Sequence, residues 1–81
     1  MPAQDEIIVW LRAAFARRAE IAAPDIDLDA PFADFGLPSR ELVGLSGELQ
    51  DWLGRRIPPT VFWDHPTIRT LSTHLVSARR L

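Results

Sequence analysis

Prolines at positions 24, 38, 58, 59 and 66 cut this 81-residue sequence into short pieces, and that punctuation most restricts what it can fold into. Proline lacks a backbone N–H, clashes with the preceding helical turn and drives the residue before it towards extended conformations. Between the breaks, apolar residues recur at helical spacing. The pieces therefore read as separate helices joined by turns, an all-α bundle of three main helices and one short helix forming a single domain over residues 1–81.

The first helix is predicted over about 4–21. Ile7, Ile8, Leu11, Ala14, Phe15 and Arg18 fall on one stripe, with Arg12, Arg17 and Glu20 outside it. Asp5 and Glu6 near its start and Arg17 and Arg18 near its end complement the helix dipole. Pro24 stops helical propagation, and residues 22–38 form a long connection. Its spaced apolar residues Ile26, Leu28, Phe32, Phe35 and Leu37 suit a loop pinned to the core.

The second helix is predicted over 39–53, with Ser39 as a hydroxyl N-cap and Gly54 as the stop. Leu42, Leu45, Leu49, Trp52 and Leu53 line one face. A short helix over about 59–63 follows the Pro58–Pro59 turn. Thr67 caps a last helix over 67–77, with Ile68, Leu71, His74 and Leu75 inward and fraying over Ser77 to Leu81. Trp10, Trp52 and Trp63 each lie on or beside an apolar face, where core or half-buried packing is expected.

Several function classes are excluded early. With no cysteine, neither disulfides nor thiolate metal sites can supplement the core, and 47% hydrophobic residues must supply it by packing. A net charge of -2 argues against nucleic-acid binding. No apolar run approaches the length of a membrane span, and Met1 to Glu6 lacks the form of a signal peptide, so a cytoplasmic chain is expected. His65 and His74 lie on different elements without an evident acid partner and read as solvated or partly packed side chains. Gly36, Gly44 and Gly47 do not make a phosphate-cradling loop. No metal site and no catalytic set emerges.

One constellation remains, Phe32-Ala33-Asp34-Phe35-Gly36-Leu37-Pro38-Ser39-Arg40. It puts a hydroxyl after a glycine-containing loop at the mouth of a helix, where free N–H groups and the dipole would stabilise a phosphate ester. By local chemistry alone the same serine is an ordinary helix cap.

The segment Phe32-x-x-Phe35-Gly36-Leu37-x-Ser39 resembles the phosphopantetheine-attachment signature of acyl carrier domains. Val43-x-Leu45-x-x-x-Leu49 with Gly54 is similar to that family's second helix. The stretch from Ile57 to Ile68 is similar to its Leu-Pro-x-Thr-x-x-Phe-Asp-x-Pro-Thr segment, and Leu71, His74 and Leu75 fall where its last helix packs. The Pro66–Thr67 pair at this spacing from Ser39 is more specific than Gly-x-x-Ser alone. The segment before Pro66 and the arginine-rich composition resemble the modular polyketide synthase type. The Gly-Gly-His/Asp-Ser of peptide synthetase carriers is absent. Two positions depart from the pattern: Pro38 stands where the family has aspartate, and Arg40 where leucine or methionine is commoner. Ser-Arg-Glu is similar to carriers of actinobacterial lipid and polyketide synthases that are loaded by acyl-AMP ligases.

The resemblance implies a carrier without catalytic activity of its own, which holds acyl groups as thioesters on a 4'-phosphopantetheine arm. The arm would come from coenzyme A and sit on Ser39. The implied partners are a phosphopantetheinyl transferase, an acyltransferase or acyl-AMP ligase, and a ketosynthase; the isolated domain would be monomeric. Partner recognition would involve Leu37, Arg40, Glu41 and Val43, with Val61 and Trp63 behind them. Val43 lies off the main stripe, and exposed contact and packing on the short element both remain open for it. The alternatives are an unmodified carrier-like docking bundle, suggested by Pro38, and a peptidyl carrier.

Overall fold

The computed structural model describes residues 2–78, and among them every regular element is helical. Helix α1 spans Gln4–Ala19, α2 Ser39–Leu53, α3 Val61–Asp64 and α4 Ile68–Ala78. Apolar faces converge from all four. Ile7, Leu11, Ala14 and Phe15 come from α1, and Leu45, Leu49 and Leu53 from α2. Val61 and Phe62 come from α3, and Ile68, Leu71 and Leu75 from α4; all are buried.

The ends of the helices follow local chemistry. Glu6 accepts a hydrogen bond from the Ala3 amide at 3.3 Å and closes the start of α1. The helix ends two residues before the predicted 21, because Glu20 turns into the left-handed region at φ 57° and the Ile21 amide bonds back to the Ala16 carbonyl. Gly54 performs the same turn after α2 at φ 70°, without the steric cost a side chain would bring. Helix α3 begins later than the predicted 59, because Pro58 and Pro59 form the preceding turn and accept hydrogen bonds from the Val61 and Phe62 amides. Thr67 is the cap of α4: its hydroxyl accepts from the Thr70 amide while the Thr70 hydroxyl accepts from the Thr67 amide, both at 3.1 Å. Of the predicted fraying over Ser77 to Leu81, residues 79–81 lie outside the described residues.

The connection over 22–38 contains two 3-10 turns, Ala23–Asp25 and Phe32–Phe35. Backbone bonds strap it to the start of α4, from the Phe32 amide to the Pro66 carbonyl at 2.8 Å and from the Arg69 amide to the Leu28 carbonyl at 3.1 Å. Its aromatic residues complete the strap. Phe32 stacks on Phe15 with centroids 4.6 Å apart, and Phe62 meets both rings edge-on.

Arg18, predicted at the end of the inward stripe, reaches across to α2. Its guanidinium pairs with Glu41 at 3.0 Å and with Glu48, and lies against Gly44. At the other end of the same two helices Trp10 stacks on Trp52. The end of α1 thus meets the start of α2, and the helices run antiparallel.

Gly47 lies in the middle of α2 with nothing within 4 Å of a Cβ added there, whereas a Cβ on Gly44 would meet the Arg18 guanidinium at 3.3 Å. Replacing a mid-helix glycine by alanine removes an entropic cost of about 0.5–1 kcal/mol. Gly47→Ala should raise unfolding stability by about that amount in urea titrations. Gly44→Ala should gain less, because the Arg18 guanidinium must shift.

Candidate functional site

Ser39 is the first residue of α2, and Pro38, with extended dihedrals, holds the N-cap position. This corrects the expectation that Ser39 caps the helix through its own hydroxyl. The chain has already turned helical at Ser39, and its hydroxyl accepts no bond from the first-turn amides. The residue is exposed, and its hydroxyl makes no hydrogen bond among the described residues. The Glu41 and Leu42 amides bond to the Pro38 carbonyl at 2.9 and 3.4 Å, while those of Ser39 and Arg40 have no backbone acceptor. An unengaged hydroxyl therefore sits beside two unused N–H donors at the positive end of a 15-residue helix.

Beside it lies a cleft of about 280 Å³ whose apolar walls include Phe32, Leu37, Leu42, Phe62, Trp63 and Pro66. The connection supplies one wall, α2 another and α3 the third. Gly36 makes the approach possible: at φ 70° it reverses the chain between Phe35 and Leu37.

The profile of the family described as "Phosphopantetheine attachment site" matches residues 9–75. The chain belongs to this family. Phosphopantetheine-attachment domains carry 4'-phosphopantetheine and are not themselves catalytic. Over 68 residues, 84% of its length, the chain is 40% identical to a phenolphthiocerol/phthiocerol polyketide synthase of Mycobacterium tuberculosis, and it spans only 4% of that relative. Among solved structures it is similar to a free-standing peptidyl carrier protein of Acinetobacter baumannii, at TM-score 0.89 and 31% identity over 95% of this chain and 96% of that one. It is also similar to an acyl carrier protein of Anabaena sp. with a variant phosphopantetheinylation-site sequence, at TM-score 0.86 and 30% identity over 94% and 86% of the two chains. No helix among the described residues is long and apolar enough to cross a membrane.

Within this carrier fold the predicted recognition residues separate. Leu37 is half-buried in the cleft wall, and Arg40 is exposed with no ion pair among the described residues. Val43 is 52% exposed and Trp63 58% exposed, so neither is a packing residue, and Trp63 departs from the burial expected of it. Glu41 is committed to Arg18. Val61 is a correction: it opens α3 and is buried in the core, so it is not an exposed contact residue.

Sequence reasoning also missed the relation between the two histidines. The turn at Pro66 folds His65 back onto α4, where its ring stacks on His74 with centroids 3.9 Å apart. No sequence signal links residues nine apart on separate elements. Burial, then the neighbouring His65 and Arg55, hold His74 below the ordinary imidazole value of 6.5, with Asp64 acting in the opposite direction. The unfolded chain therefore takes up a proton more readily than the native one. The contribution of His74 to stability is complete above pH 6.5 and is lost as pH falls through its depressed native value. Urea titrations should show stability declining as pH falls from 6.5 towards that depressed value, and His74→Gln should flatten the decline.

Proposed function

We propose that the chain is an acyl carrier of the modular polyketide synthase type, with Ser39 as the attachment point of its arm. The observation that carries this reading is the unengaged Ser39 hydroxyl at the mouth of α2, beside free amides and an apolar cleft. Modification forms a bond from Ser39 Oγ to the phosphorus of the phosphopantetheine half of coenzyme A. The hydroxyl proton leaves, and the nucleotide half departs.

The residues present fit the group. The Ser39 and Arg40 amides, the dipole of α2 and the exposed Arg40 guanidinium all favour the negative phosphodiester. Glu41 would oppose it, but its ion pair with Arg18 offsets part of that charge. When attached, the arm supplies a terminal thiol on which acyl groups are held as thioesters. Ser39 anchors it, Leu37 and Trp63 offer apolar contact close to the anchor, and Arg40 beside it and Val43 one helical turn on present an exposed face for partners. Tethering raises the effective concentration of the cargo at each partner site.

The partners we assign are a phosphopantetheinyl transferase, an acyltransferase or acyl-AMP ligase for loading, and a ketosynthase, in the cytoplasm. A peptidyl carrier is the second reading, favoured by the likeness to the Acinetobacter protein. Loading by an acyl rather than an aminoacyl donor separates the two.

Incubation with coenzyme A and a promiscuous phosphopantetheinyl transferase should add one phosphopantetheine to the intact mass, and Ser39→Ala should abolish the addition. No mass change, alongside full conversion of a known carrier, would instead make this an unmodified docking bundle.

Pro38 gives a further test. Pro38→Asp restores the acid that the resemblance associates with the transferase and should speed modification several-fold. It should also stabilise α2 by about 1 kcal/mol as an N-cap. Initial rates by mass spectrometry and urea midpoints measure the two effects separately.

A further inference from the structure

At the end of the α1–α2 pair remote from Ser39, Trp10 and Trp52 stack with centroids 5.1 Å apart and ring planes within 9°. Trp52 stands thirteen residues along α2 from Ser39 (52 − 39), about 20 Å at the helical rise. The stacked pair does not close over the core. Trp52 is 36% exposed and Val9 beside it is 66% exposed. With Ala13 they line a groove of about 500 Å³, edged by Asp5 and Glu6. Each indole fixes the other, so a ligand meets aromatic surface whose side-chain entropy has already been lost on folding.

The acidic edge sets the sign of what can enter. Asp5 is exposed and joins no ion pair among the described residues. Anionic lipid head groups, nucleic acids and the phosphodiester at Ser39 are all repelled there, whereas a cation gains.

We propose that the Trp10–Trp52 groove is a second docking surface, which takes an amphipathic segment of a partner protein presenting a large apolar side chain beside lysine or arginine. The apolar side chain lies on the indoles near Val9, and the cation meets Asp5 and Glu6. The surface does not depend on the modification of Ser39. Its distance from Ser39 lets a partner hold the carrier while Ser39 faces another.

NMR titration of the isotope-labelled chain with an amphipathic peptide of leucine, alanine and lysine tests this, beside a control peptide with glutamate in place of lysine. Saturable shifts of the Trp10 and Trp52 indole N–H signals, with Trp63 unmoved and the acidic peptide inert, are the expected result. Val9→Lys, at a position too exposed to disturb folding, should weaken binding about tenfold while leaving the phosphopantetheine mass addition unchanged. Asp5→Lys should weaken it several-fold and reduce its salt dependence. Equal binding of both peptides, shifts centred elsewhere, or no saturable shift would overturn the proposal. So would concentration-dependent dimerisation on sedimentation that Val9→Lys abolishes, because the groove would then belong to a second copy.

Discussion

The stacking of Phe32 on Phe15 is the contact on which the site depends. A connection as long as 22–38 has many conformations, and its first and last residues alone would not fix where α2 begins. Burying a phenylalanine contributes about 1.5–3 kcal/mol, and a well-placed aromatic pair adds about 0.5–1.5 kcal/mol. These magnitudes exceed the backbone entropy of ordering a residue or two. All four phenylalanines of the chain share this cluster, so α1, the connection and α3 are bound to one another through it. The walls of the Ser39 cleft are the outer surface of the same cluster. Positioning of the hydroxyl and stability of the core therefore rest on the same contacts.

Arg18 adds an electrostatic clamp to this apolar one. It is largely covered, with 22% of its side chain exposed, and it holds two acids of α2 at once. Its hydrogen bond and attraction to Glu48, with those to Glu41, raise its pKa against the opposing effect of burial. The exposed pair of Arg69 with Asp29, by contrast, is screened by solvent and contributes little to stability. The clamp also has a consequence for chemistry at Ser39. A free carboxylate at position 41, two residues along the first turn of α2, would repel a phosphate; its pairing with Arg18, shared with Glu48, offsets part of that repulsion.

What could be read from the sequence follows from how local each interaction is. Helical periodicity and proline breaks are local, so the all-α architecture was legible, as was the inward stripe of α1. The whole-chain spacing of Ser39 to Pro66–Thr67 carried the family resemblance that the comparisons established. Less legible were features set by which way a short element turns. Val61 and Trp63 lie two residues apart on one turn of helix, and only the packing of α3 decides that Val61 is buried and Trp63 is not. The stacking of Trp10 on Trp52 and of His65 on His74 joins separate elements, and no periodicity within either element encodes it. The cap at Ser39 failed for a subtler reason. A serine after proline suits both the N-cap and the first helical position, and here the extended backbone of Pro38 takes the cap.

That one-residue difference bears directly on the chemistry at Ser39. A serine at the N-cap turns its oxygen towards the first-turn amides and uses it as an acceptor. At the first helical position the oxygen makes no such bond here, and the Arg40 amide that a cap could have taken stays open. Proline at the cap has no side-chain acceptor to fill it either. An aspartate in its place would stabilise the helix by accepting from the Arg40 amide, and it would then compete with a phosphodiester on Ser39 for that donor. Pro38 thus supplies no side-chain cap, and the helix mouth stays open to the phosphate that the proposed modification would place there. On the proposed reading, the residue that removes the acid also leaves the donors at the helix mouth open to a phosphodiester.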